Sequence, residues 1–149
     1  MPHWQTGRKT EDGKRMTLDD AQTILQLTHC SDQYEQALAD NNVDALDALF
    51  WQGPQTVRYG VGENLYGAAE IAAFRRNRKG GSPPRTMLRR TITPLGTEAG
   101  VVSLEFRRIG STRTGRQMQT WINTPDGWKI LAAHVSIMAE QPETERPTL

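Results

Sequence analysis

The segment Gly80-Gly81-Ser82-Pro83-Pro84 divides the chain into two parts of opposite hydrophobic period, and no other feature restricts the fold as much. Glycine favours left-handed backbone and proline lacks an N–H donor, so neither a helix nor a central strand can run through it. Ahead of it, apolar residues recur at three- and four-residue spacing; behind it they alternate. Thr17 with Asp20 three residues on is a helix-start pattern. Leu18, Ile24, Leu25, Leu27, Tyr34, Ala37 and Leu38 then form an imperfect stripe, which predicts a first helix to about Asp40. Asn41 and Asn42 can cap a shorter helix carrying Val43, Leu46, Leu49 and Phe50, folded back on the first as a hairpin.

Gly53-Pro54 ends that helix, and Thr56-Val57-Arg58-Tyr59 is a short β-prone run closed by Gly60-Val61-Gly62. Asn64-Leu65-Tyr66 pairs with it in a small hairpin, and Gly67 opens a third helix through Phe74 that ends in a basic run. Beyond the break come strands at about Arg85–Leu95, Val101–Ile109, Gly115–Thr124 and Trp128–Met138, with Thr124-Pro125-Asp126-Gly127 as the clearest hairpin turn. Helices first and a long meander afterwards predict an α+β fold in which the N-terminal helices pack on a curved antiparallel sheet. The 149 residues suit one domain. It is expected at residues 17–139, between a disordered extension at 1–16 and a disordered tail at 140–149.

Charge and motifs exclude several classes of function. Lys plus Arg total 18 against 17 Asp plus Glu, so no global field recruits nucleic acid or an anionic membrane. No run approaches the ~18 apolar residues of a membrane span, and the polar start lacks the apolar core of a secretory signal. Cys30 is the single cysteine, which rules out an intrachain disulfide and fits a reducing cytoplasm. His3, His29 and His134 are scattered, so no metal-ligand spacing exists and no metal is expected. Gly60-Val61-Gly62 precedes a strand rather than opening a helix, so no nucleotide cofactor is expected either.

Several stretches are familiar in combination: Tyr34-Glu35-Gln36-Ala37-Leu38, Leu49-Phe50-Trp51, Thr56-Val57-Arg58-Tyr59-Gly60 and Glu63-Asn64-Leu65-Tyr66-Gly67. They continue with Ile71-Ala72-Ala73-Phe74-Arg75, Gly115-Arg116-Gln117-Met118-Gln119-Thr120-Trp121 and Gly127-Trp128-Lys129-Ile130-Leu131-Ala132-Ala133-His134-Val135-Ser136. In order and spacing, from about Asp32 to Met138, this resembles the AtzH-like family, grouped with proteins of oxalurate catabolism in the SnoaL-like, nuclear transport factor 2-like superfamily. The resemblance implies a cone-shaped α+β barrel with its site inside the cone, and a homodimer formed through the sheet. It further implies a cytoplasmic role in degrading small anionic ureides. Relatives of this kind are metal-free decarboxylating amidohydrolases acting on 1,3-dicarboxyurea, and Tyr34 and Arg58 match the tyrosine and arginine regarded as catalytic there. The same cone also serves as a non-catalytic binding module or as an accessory subunit to a partner amidase, because fold alone does not fix function.

The residues themselves can be weighed for that chemistry. A substrate with two N-carboxylates needs a cationic clamp, which arginine's planar fork provides bidentately. Arg58 lies mid-strand and serves if it points inward; the alternatives are an outward side chain or a structural pair with Glu63. Losing carbon dioxide from an N-carboxylate is easiest when its nitrogen receives a proton, a task for Tyr34, whose bland alternative is core with a satisfied hydroxyl. His134 and Ser136, alternating with Ile130 on the last strand, are expected to enter the cone, and Gln117, Gln119 and Trp121 share a face that can read a urea carbonyl or N–H. Trp51, Tyr66 and Phe74 are expected as apolar walls, and Asn64 as a carbonyl-orienting group or a turn residue. Arg75-Arg76-Asn77-Arg78-Lys79 reads as a solvated helix end or as positive potential that guides an anion. Leu131, Val135 and Ile137 are expected on the outer, dimer-forming face.

Overall fold

The computed structural model describes residues 16–140, so the expected extension and tail lie almost wholly outside the described residues. Three helices, α1 (Ala21–Ala39), α2 (Val43–Ala48) and α3 (Ala68–Asn77), cover one face of a six-stranded sheet. The strands are β1 (Val57–Tyr59), β2 (Asn64–Tyr66), β3 (Arg85–Leu95), β4 (Ala99–Arg108), β5 (Thr114–Thr124) and β6 (Gly127–Ile137), in the spatial order β2-β1-β6-β5-β4-β3. The sheet is unclosed, with β2 and β3 at its edges. β3 to β6 form the expected antiparallel meander, whereas β1 joins β6 in parallel, a pairing the sequence reading does not contain.

Local chemistry explains the helix boundaries. Asp20, not Thr17, caps α1: its carboxylate accepts the Thr23 amide at 3.0 Å and the Thr23 hydroxyl at 2.7 Å. Those bonds hold the Asp20 carboxyl below its ordinary pKa. The buried stripe of α1 is Thr23, Leu27, Ser31, Tyr34 and Ala37, while Leu25 faces solvent. The stripe looks imperfect in sequence because two members are hydroxyl residues with polar partners, Thr23 beside the Gly96 carbonyl and Ser31 accepting from Arg90. Asn42 caps α2 through the Ala45 amide, as expected. Gly67, at φ 84°, turns the chain from β2 into α3, a conformation that side-chain-bearing residues rarely adopt.

Leu27, Leu46, Phe50, Ile71, Val102, Trp121 and Ile130 form the buried centre between helices and sheet. A β-bulge beside it decides which residues of β6 join it. Trp121 pairs with Ile130 and Thr120 with Ala132, so Leu131 is the extra residue and the inward phase shifts by one. Ile130 faces inward before the bulge, and Ala133 and Val135 after it. The alternation drawn from sequence is therefore corrected: His134 lies on the opposite face from Ile130, and Val135 is core rather than outer surface.

The Asp20 cap has a pH signature. Because its folded pKa is depressed, its contribution is complete above the ordinary carboxylate range and disappears as pH falls through the folded value. Asp20→Ala should lower the urea midpoint at neutral pH, and the gap between variant and wild type should shrink toward about pH 3. A gap that stays constant across that range would show that the carboxylate charge plays no part in the cap.

Candidate functional site

Strand register sets the direction of each β1 side chain. Arg58 sits opposite Ala133 and Tyr59 opposite His134, so Arg58 shares the inner face and Tyr59 the outer one. Arg58 and Tyr34 line one cavity of about 150 Å³, together with Leu38, Phe74, Arg78, Arg85, Arg108, Gln117 and the turn residue Glu63. This is small beside the roughly 300–1,000 Å³ of sites for drug-sized ligands, and suits a molecule of few heavy atoms. A larger cleft of about 660 Å³ adjoins it across Leu38, Ser82, Pro83 and Arg85, but holds neither Tyr34 nor Arg58. The small cavity is the chemically equipped one.

Four arginines and one glutamate line it, which makes its field strongly positive. Three of these guanidiniums are held in different ways. Arg58 donates to Glu63 at 2.9 Å and is 12% exposed. Arg85 is the most engaged: through Nε and Nη2 it forms a forked pair with Glu35 at 3.1 and 2.7 Å, it donates from Nη2 to Gln117, and it lies over the Phe106 ring. Gly115 permits this wall, since a Cβ there would overlap the Phe106 ring. Arg78 and Arg58 both lie over the Phe74 ring, at 5.5 and 5.7 Å. Among the described residues Arg78 has neither an ion pair nor a side-chain hydrogen bond, and its Nε is buried without a partner.

Arg75 stands behind the cavity, 5% exposed and 4.4 Å above the Phe50 ring. One of its nitrogens donates to Asp47 at 2.8 Å and the other is buried without a partner. Burial pushes its guanidinium below the ordinary value, with Tyr34 and Asp47 opposing the shift and Arg58 adding to it. Arg78 is likewise lowered by burial first and by the Arg58 charge second, with Tyr34 opposing. Arg58 and Arg78 share the cavity wall with Tyr34, and the Tyr34 oxygen interacts electrostatically with Arg75 and Arg78. These α3 arginines correct the reading of the basic run as a solvated helix end. The signal was in the spacing: Ile71, Phe74, Arg75 and Arg78 fall at three- and four-residue intervals on one face, while Arg76, Asn77 and Lys79 are exposed and Arg76 pairs with Asp47.

Of the other residues singled out from sequence, Phe74 lines the cavity. Gln119 is buried on the same face, with its oxygen on the Trp121 indole and its amide nitrogen unpartnered, but does not reach the cavity wall; Gln117 does. His134 and Ser136 lie on the outer face because of the bulge at Leu131, and His134 packs edge-on against Tyr59. Tyr66 is 53% exposed and faces Tyr59, and Asn64 is exposed opposite Tyr59 on that side. Trp51 is at the surface with its indole toward Gln55. Among the described residues no cluster of His, Cys, Asp or Glu has the makings of a metal centre.

The model of the AtzH-like family matches residues 16–141, which include every residue of this cavity. The chain belongs to the AtzH-like family. This AtzH-like chain is 45% identical to a protein of unknown function from the DUF3225 family of Pectobacterium atrosepticum, whose crystal structure superposes with a TM-score of 0.80 over 89% of this chain and 100% of that one. A cystatin-like fold protein from Burkholderia xenovorans is 40% identical, with a TM-score of 0.80 over 85% of this chain and 99% of that one. A nuclear transport factor 2-like superfamily protein from Salmonella enterica, at 22% identity and a TM-score of 0.66 over 85% and 99% of the two chains, shares the fold. The α+β architecture is thus that of the nuclear transport factor 2-like superfamily. No functionally curated protein matches the chain.

The Arg75–Asp47 pair tests how the AtzH-like cavity is held together. Asp47→Ala leaves a buried guanidinium unpaired and should destabilise the fold by roughly 3 kcal/mol in urea unfolding. Adding Arg75→Met to it removes the orphaned charge and should recover most of the loss. A double variant as unstable as the single one would assign the effect to α2 packing instead.

Proposed function

We propose that this protein is a cofactor-independent decarboxylating amidohydrolase acting on a small N-carboxylated urea of the 1,3-dicarboxyurea type. The observation that carries the reading is the convergence of a buried tyrosine hydroxyl and several arginines on one small cavity. Family membership supplies the substrate class. Arg58 grips one carboxylate of the substrate, and Gln117, whose amide oxygen is engaged by Arg85, keeps its amide nitrogen to donate to the urea carbonyl.

In the chemical step the bond between the carboxylate carbon and the urea nitrogen breaks, and its electron pair goes to nitrogen. Tyr34 delivers a proton to that nitrogen as the pair arrives, so carbon dioxide leaves and the remaining urea carries one hydrogen in place of the lost carboxylate. The surrounding guanidiniums offset the negative charge left on the tyrosine oxygen, which solvent then reprotonates. Leu38, Phe74 and Val135 give the cavity apolar wall, where these electrostatic terms act with less screening than in water.

The decisive measurement is carbon dioxide release from 1,3-dicarboxyurea by purified wild-type protein. Turnover is expected, and folded Tyr34→Phe and Arg58→Ala variants should each lose about 10²-fold or more in kcat/KM. Binding of the ureide by wild type without turnover would replace the enzyme with a non-catalytic ureide-binding module.

A further inference from the structure

We propose that Arg78 is the second carboxylate anchor of this cavity and the residue that makes it select short dianions over the matching monoanions. The proposal rests on the reading above for the ligand class alone. Arg58 and Arg78 share the Phe74 ring as a platform, one from β1 and the other from the C-terminal cap of α3. Two guanidiniums over one ring repel each other, and burial adds to the penalty on Arg78. Glu63 answers the charge of Arg58, yet no carboxylate among the described residues reaches Arg78.

A half-buried cation whose Nε is buried and unpartnered, on the wall of a cavity, is a group whose partner arrives with the ligand. Arg85 is less suited to this role, because Glu35 already answers its charge and Glu35 and Gln117 take its Nε and Nη2 donors. With Arg108 a further cation on the cavity wall, the Phe74 ring carries one partly answered guanidinium and one unanswered one. A molecule with carboxylates at both ends of a short chain satisfies both; a monocarboxylate satisfies one and leaves the other exposed to the repulsion. The same asymmetry makes the product leave. Decarboxylation converts the dianion into a monoanion, and the anchor that held the departed carboxylate loses its partner within the site.

Glutarate separates its two carboxyl carbons by three atoms, as 1,3-dicarboxyurea does, and butyrate is glutarate without one carboxylate. In calorimetric titrations at fixed ionic strength, wild type should bind glutarate at least about tenfold more tightly than butyrate. Arg78→Met should remove that preference while leaving butyrate affinity within about twofold, and Arg78→Lys should retain part of it. A wild type without preference, or an Arg78→Met variant that keeps the full glutarate-to-butyrate ratio, overturns the proposal. Because the ratio is read from binding, it stands apart from turnover: a preference carried by Arg78 in a protein that does not release carbon dioxide sinks the enzyme and keeps the anchor, whereas turnover unaffected by Arg78→Met does the reverse. Should Arg78→Met fail to fold, the Arg78→Lys ratio decides, since an unchanged preference there means that a fork at this position is not what reads the second carboxylate.

Discussion

The site depends on one physical constraint: several guanidiniums must stay charged, close together and out of water. Arginine is the residue for this, because it remains protonated where lysine would shed its proton. Even so, burial and mutual repulsion push Arg75 and Arg78 down from their ordinary values. The fold answers with two kinds of partner. Asp47, Glu63 and Glu35 pair with Arg75, Arg58 and Arg85. Aromatic faces supply the rest: the chain has three phenylalanines, and each lies beneath a cavity-associated guanidinium, Phe50 under Arg75, Phe74 under Arg58 and Arg78, and Phe106 under Arg85. Phe50 and Phe106 are core residues and Phe74 is half-buried, and each gives a ring face to a cation. Hydrophobic packing and site electrostatics are therefore the same set of contacts.

That sharing explains why the helices are where they are. α1 brings Tyr34 and Glu35 on adjacent positions, one into the core against Phe50 and the other out to Arg85. α2 contributes Asp47 to the two arginines of α3, which ties the short helices to each other beside the cavity. The loop before β3 carries Ser82 and Pro83 over the same space, so the glycine-proline break that divides the chain also forms part of the cavity wall.

Much of the fold was legible because it rests on short-range chemistry. Asn42 capping α2, Gly67 opening α3 and the turn before Gly127 are local signals, and all fall where the sequence puts them. Tyr34 and Arg58 could be named from family resemblance, but the direction of Arg58 could not, because it follows from the parallel register of β1 on β6, a contact between segments some seventy positions apart in the chain. The placing of His134 and Ser136 failed for a similar reason. A single extra residue, Leu131, inverts the faces of everything after it, and strict alternation has no way to show a bulge. Arg75 and Arg78 were missed on different grounds. Their helical spacing was visible, but a basic run at a helix end reads as solvated unless something is known of what it packs against.

The degree to which each arginine is satisfied separates wall from site. Arg85, with three hydrogen bonds, a carboxylate partner and a ring beneath it, is the most fully answered and helps fix the shape of the cavity. Arg75 keeps one nitrogen unanswered but stands behind Tyr34, where it can act on the phenol oxygen rather than on a ligand directly. Arg58 is half engaged, and the Arg78 side chain makes no hydrogen bond or ion pair with the described residues. Purely structural arginines have no reason to form such a series, since each orphaned polar atom weakens the free protein and a methionine of similar reach would pack as well. The series makes sense if the missing partner is an anion that enters from solvent, so that the instability of the empty cavity becomes affinity when it is filled.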